Sequence, residues 1–222
     1  MSGEFISQEF ACYRTDDLKI SHTLDIHWKL NNSPVFADKL KFPELAAEAQ
    51  PVPALSPYAR ALGPIHALLL AGMHRCAHAY EGQSNRLIWL YDIHLLACRF
   101  TPADWASYTD TANRLGLSSI CLDGLLITQR RFSTAIPEHI VDNLRTAAAS
   151  AWLTPALLAS NAGNLYAGFR ALPNWRSRMS LLREYLFPDA RYMLEKYQTA
   201  QRWRLPLLYL HRICTRILKL IR

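Results

Sequence analysis

Glycine is scarce in this 222-residue chain, at 8 residues against 12 prolines. Neither G-x-G-x-x-G nor G-x-x-x-x-G-K-[ST] occurs, which excludes the two commonest loops that cradle phosphates with backbone N–H groups. A G-x-S-x-G elbow is also missing, so a serine nucleophile of that kind is excluded. The five cysteines, Cys12, Cys76, Cys98, Cys121 and Cys214, are odd in number, scattered, and form no C-x-x-C pair. A zinc knuckle, a redox dithiol and a disulfide framework are therefore excluded, and a reducing compartment is expected. Met1 to Phe10 contains Glu4 and Glu9 and no apolar core, so no secretory leader is read and a cytoplasmic location is expected. Long hydrophobic runs are lacking too. Ile65 to Met73 is interrupted by His66 and stops at His74, well short of the roughly 20 apolar residues that a spanning helix needs.

What is present is a globular composition: 50% hydrophobic and 19% charged, which excludes disorder as the main state. At roughly 150 residues per domain, the length allows one large domain or one with a partial second. The net charge of +7 is unevenly placed. Residues 161–222 carry 12 Lys or Arg against Glu184, Asp189 and Glu195, whereas residues 1–160 are slightly acidic. A field concentrated at one end points to an anionic surface as partner.

Three segments are expected: a β region at 1–50, a helical domain at 51–165 and a basic helical segment at 166–222. Glu9 to Arg14 reads as a short strand, Asp16-Asp17 as a turn, and Leu24 to Leu30 as a strictly alternating strand. The period of two sends Leu24, Ile26, Trp28 and Leu30 to a packing face and Asp25, His27 and Lys29 to the other. Gln50-Pro51-Val52-Pro53 is a stiff connector. Beyond it, helices are expected at Ile65–Tyr80, Asn85–Phe100, Ser118–Arg131, Pro137–Leu153, Arg176–Leu186, Ala190–Arg204 and Pro206–Arg222. One more starts at Thr101-Pro102-Ala103-Asp104, a capping-box signature, and ends at Gly116.

Several pieces together carry a resemblance. Leu24-Asp25-Ile26-His27-Trp28, a helix with His74 and His78, and Arg86-Leu87-Ile88-Trp89-Leu90-Tyr91-Asp92 resemble a family of bacterial nucleotidyltransferase-like proteins from about Ile20 to Arg131. Leu186-Phe187-Pro188 and Tyr209 with Arg212 are a looser echo. The resemblance implies an α+β, mostly α fold, in which a small β-hairpin remnant of a nucleotidyltransferase sheet packs on a multi-helix body. It implies a magnesium-bound nucleoside triphosphate attacked by an acceptor. Two metal ions in such chemistry stabilise the attacking and leaving oxygens, and Mg²⁺ takes carboxylate oxygens. Asp25 maps onto the family's third carboxylate, as catalytic and metal-binding residue, with His27 and Lys29 placed to contact the nucleotide. The first two carboxylates belong to an Asp-x-Asp after a Gly-Ser turn, and no such motif precedes Asp25. Asp16-Asp17 does not replace it, because adjacent strand residues point to opposite faces. The expectation is thus an N-terminally incomplete nucleotidyltransferase with an unknown acceptor, inactive as this chain alone.

His74 and His78, four apart on a helix, share a face that Asp92 reaches if the next helix is antiparallel. The alternatives are a metal site and a structural hydrogen-bond network. Arg86, Trp89 and Asp92 suit an Arg–Asp tie across the helix pair with Trp89 buried between. In the last helix, Leu210, Ile213, Cys214, Ile217, Leu220 and Ile221 form one arc, and His211, Arg212, Thr215, Arg216, Lys219 and Arg222 the opposite one. Docking of the apolar arc with the charges solvated is the first expectation. A peripheral anionic membrane surface bound through Arg202–Arg222, aided by Trp203 and Tyr209, is the alternative. No recognition module accompanies the charge, so nucleic acid is not expected as a partner.

Overall fold

A computed structural model describes residues 9–221, with side chains to Leu218. The fold is α+β and mostly helical, with two small antiparallel two-strand sheets. Two compact units form: one joins the residues up to Asp38 to those from Leu165 onward, and the other is Lys39–Asn164.

The first sheet is a hairpin of β1 (Glu9–Thr15) and β2 (Ser21–His27), in register from Glu9 opposite His27 to Thr15 opposite Ser21. Its turn is built on one carboxylate. Asp16 Oδ1 accepts from the Leu18 and Ile20 amides, both at 2.9 Å, and Oδ2 lies 2.8 Å from His22 Nε2. These bonds, led by His22, lower the Asp16 pKa. The second strand begins three residues earlier than the alternation suggests and ends at His27 rather than Leu30. Its ladder ends with His27 opposite Glu9, and residues 28–30 bend away from the strand direction. The expected packing face is not packed: Leu24 is 63% and Ile26 51% exposed, and Phe10 and Trp28 are exposed with them. Alternation marks two faces of a strand, yet says nothing of what covers either. After β2 the Lys29 ammonium meets Asp38 at 3.0 Å, and α1 (Pro34–Ala37) follows.

The second unit opens with α2 (Phe42–Ala47) and a two-residue ribbon of β3 (Gln50–Pro51) and β4 (Arg60–Ala61), so the proline-rich connector is a surface loop. Its core lies between α3 (Pro64–Ala77), α4 (Leu87–Ala97), α5 (Pro102–Arg114), α6 (Ser118–Phe132) and α7 (Glu138–Ala148). Leu69, Met73, Leu90, Ile93, Ile120 and Leu144 are fully buried there, at the three- and four-residue spacing of apolar helix faces. The capping box at α5 forms as expected. Thr101 Oγ1 accepts from the Asp104 amide at 3.2 Å, and Asp104 Oδ2 accepts from the Thr101 amide at 2.9 Å. Gly116 ends the helix at φ 66°, where the Gly116 and Leu117 amides reach back to the Asn113 and Ala112 carbonyls, a Schellman arrangement. Thr101→Ala is expected to cost about 1 kcal/mol, read as a lower urea midpoint with an unchanged slope.

After α8 (Pro155–Leu158) come α9 (Asn161–Ala171), α10 (Trp175–Leu186), α11 (Ala190–Lys196) and α12 (Leu205–Ile221). The helix expected from Ala190 to Arg204 is broken in two. Gln198 adopts φ 49°, with Gln198 N bonded to Glu195 O and Thr199 N to Leu194 O, so a Schellman stop closes α11 without glycine. A single 3₁₀ turn, Arg202–Arg204, then leads into α12.

The orientation of α12 reverses the expectation. Arg212 is 4% exposed, and Tyr209, Ile213, Thr215 and Arg216 are half-buried beside it. Leu210, Cys214, Ile217 and Leu218 face solvent. The cause is polar: Arg212 donates from Nε at 3.2 Å and from Nη2 at 2.9 Å to the Tyr185 carbonyl. Arg216 lies over the Tyr185 ring, and Tyr209 donates to the Pro188 carbonyl at 2.7 Å. The side chains of Lys219, Leu220 and Ile221, and all of Arg222, lie outside the described residues.

Candidate functional site

Directly opposed residues of an antiparallel pair share a face, so Glu9 and Tyr13 join Thr23, Asp25 and His27 on one side of the hairpin. Asp25 is exposed and sits opposite Ala11, whose side chain has no hydrogen-bonding group. His27 Nε2 lies 3.3 Å from Glu9 Oε2. The strand therefore brings Asp25 and His27 together. Lys29, expected on the same strand face, lies past its end and is engaged by Asp38. Asp16 is committed to the turn.

Magnesium prefers several rigid oxygen ligands. Asp25 offers one solvent-facing carboxylate, and the nearest acidic neighbour across the ladder, Glu9, is engaged by His27. Among the described residues no three His, Cys, Asp or Glu side chains converge as a metal site. The donor set of the described residues does not fit a two-metal centre.

The helix-pair histidines do converge, on an aromatic. His74 and His78 ring centroids are 4.9 Å apart, and Trp89 lies 4.9 Å from His74 and 5.2 Å from His78. The Arg86 guanidinium stands 5.0 Å from the Trp89 ring. Asp92 does not complete a metal site with the two histidines. Instead His78 Nδ1 meets Glu81 Oε2 at 3.0 Å, the hydrogen-bonded alternative. Trp89 is half-buried and Arg86 and Asp92 are exposed, so the expected buried tie is not there.

Burial lowers the His74 pKa from 6.5, and the neighbouring His78 lowers it further. The sign follows from proton binding: below the unfolded value the unfolded chain takes the proton first, so stability falls as pH drops through that value toward the lower folded one. His74→Gln is expected to shrink the difference between urea midpoints at about pH 7.5 and about pH 5.5. An unchanged difference would locate the titration elsewhere.

A buried ion pair lies deeper in this unit. Arg75 of α3 is 1% exposed, and its Nη2 bonds to Asp123 of α6. Its Nη1 approaches the Ser84 carbonyl and Asn85 Oδ1, each at 3.5 Å, while its Nε has no partner. The pair borders a cavity of about 240 Å³ that Ser84, Asn85, Pro155 and Ala159 also line. Helical spacing carries the missed signal: Arg75 follows Leu68 by seven and Gly72 by three, so it falls on the buried face of α3.

Against known proteins, the model of a family described as uncharacterised nucleotidyltransferase matches residues 7–133, more than half of the chain. The chain belongs to this nucleotidyltransferase family. The match takes in Asp25, His27 and Lys29, the His74–His78–Trp89 cluster and the Arg75–Asp123 pair, and agrees with the stretch on which the sequence resemblance rests. The helices α9 to α12 lie outside the nucleotidyltransferase match. No curated protein and no solved structure matches the chain.

Proposed function

We propose that the chain serves nucleotidyl transfer from a magnesium-bound nucleoside triphosphate to an acceptor still to be identified, with Asp25 on the nucleotide-facing side of β2. The observation that carries this reading is the nucleotidyltransferase match across the hairpin, on which Asp25 is solvent-facing. The roles that the chain's own residues can fill are limited. Asp25 is an oxygen donor, His27 a hydrogen-bond partner for phosphate, and Lys29 a cation reached once Asp38 lets go. A working centre needs further carboxylates from outside the described residues, which makes the chain alone a binder before it is a catalyst.

Calorimetric titration of each of the four nucleoside triphosphates, with and without Mg²⁺, tests the reading. Heat is expected for at least one triphosphate, and Asp25→Asn is expected to weaken it about tenfold, equivalent to about 1.4 kcal/mol. Absence of heat for all four, or heat indifferent to Asp25→Asn, overturns the assignment. A second reading, a non-catalytic module acting through Ala200–Arg222, is favoured by one observation, the outward apolar face of α12.

A further inference from the structure

We infer that α12 is an in-plane anchor that lays its outer face on an anionic lipid surface. This inference is independent of the transferase reading, since the family match ends well before the helix. No helix among the described residues is long and apolar enough to cross a bilayer.

Three observations carry the inference. First, the apolar stripe of α12 points away from its own unit. Leu207 is 62% and Leu210 59% exposed, and Cys214, Ile217 and Leu218 are exposed with them. At 100° per residue these five positions span about 100° of the helix circumference. Secondly, the opposite face is held by the unit, through Arg212 on the Tyr185 carbonyl and Tyr209 on the Pro188 carbonyl. The helix is held with its apolar side out, and rolling it inward would bare the Arg212 contact. Thirdly, the charge is of one sign. From Lys196 to the end the sequence has seven Lys or Arg and no Asp or Glu. Arg202 and Arg204 are exposed at the start of the helix, beside Trp203, itself 69% exposed. An exposed tryptophan flanked by arginines, leading into an outward apolar stripe, is the pattern of an interfacial helix.

The charge also selects among occupants. Trp203, Leu207, Leu210, Cys214 and Ile217 recur at alternating spacings of four and three, which a second helix would also accept. In a pair formed by two copies of this chain, however, Arg204 beside the stripe would find no acidic residue in the partner segment, because residues 196–222 contain no Asp or Glu. Like charges beside such a seam oppose self-pairing. An anionic bilayer meets the apolar stripe with acyl chains and the flanking arginines with headgroups.

Flotation of the full chain with vesicles of phosphatidylglycerol and phosphatidylcholine, against vesicles of phosphatidylcholine alone, decides the matter. Recovery is expected to be at least about tenfold higher on the anionic vesicles, since the negative surface potential attracts the exposed arginines, and to fall with added salt. Leu210→Asn with Ile217→Asn alters only exposed positions. It is expected to keep the helical circular dichroism and unfolding midpoint of the parent while recovery drops to the background without vesicles. Arg202→Gln with Arg204→Gln is expected to erase the preference for anionic lipid. Equal recovery on both vesicle types, no flotation with either, or a dimer by light scattering that Leu210→Asn with Ile217→Asn disperses would each overturn the inference, the last by showing that the stripe pairs two copies.

Discussion

Asp123→Ala is expected to destabilise the Lys39–Asn164 unit by about 3 kcal/mol. Its partner Arg75 is almost wholly out of solvent, and among the described residues Asp123 is the carboxylate bonded to it. Taking a guanidinium out of water costs several kcal/mol, and the nearby negative charge offsets that cost. With Asp123 gone, Arg75 keeps two contacts of 3.5 Å, at the outer limit of hydrogen bonding, and an Nε with no partner. Burial lowers the Arg75 pKa, the direction expected when a cation is taken out of water. The figure sits at the low end of the range for buried pairs because Asp123 is 35% exposed and retains some hydration.

The companion experiment separates charge from packing. Replacing both members, Arg75→Met with Asp123→Leu, removes the charge that needs compensation, so it is expected to cost less than Asp123→Ala alone. Gly124 follows Asp123, and a methyl there would stand 3.6 Å from Ile93 Cδ1 and 3.8 Å from Arg75 Nε, so α6 runs close to the guanidinium without a clash. Urea unfolding of Asp123→Ala and of the double variant, each against the parent, makes the comparison. An Asp123→Ala midpoint equal to that of the parent would show that the pair does not hold α3 to α6.

How much of this was legible in the sequence depends on whether a feature is local. The α5 cap was legible because Thr101, Pro102 and Asp104 act on each other within one turn. The hairpin turn was legible for the same reason, through Asp16. The family was legible from the hairpin and the first long helices, the region that the match covers. Orientation was not. The amphipathic pattern of the last helix defines two faces, and hydrophobicity alone assigns the apolar one inward. The assignment fails because Arg212 finds a carbonyl on α10, 27 residues back in the chain, which no local pattern encodes. Arg75 is the same case: a charge on an apolar helical face with its counter-ion 48 residues away. Asp25 stands between the two. Its strand follows from the alternation, its exposure is shared by both faces of that strand, and its chemistry depends on carboxylates that the described residues do not bring to it.

Arg212→Met is expected to release α12 from α10 and α11, costing about 2 to 3 kcal/mol within its own unit. Two guanidinium nitrogens of Arg212 converge on the Tyr185 oxygen. Bonds from a charged donor contribute more than neutral ones, and removing the donor leaves a half-buried carbonyl near the end of α10 with less to satisfy it. The guanidinium also stands 5.6 Å from the Tyr192 ring of α11, so one side chain ties α12 to both neighbours. Methionine fills similar volume without a donor, which separates lost hydrogen bonding from lost packing. Arg212→Lys keeps the charge, but an ammonium does not reproduce the planar fork, so only partial recovery is expected. Hydrogen exchange gives the decisive readout: amides of α12 should lose protection in Arg212→Met while those of α3 to α6 keep theirs. Equal loss across both units would mean that Arg212 supports the whole fold, and unchanged protection in α12 would mean that its apolar side, after all, holds the helix in place.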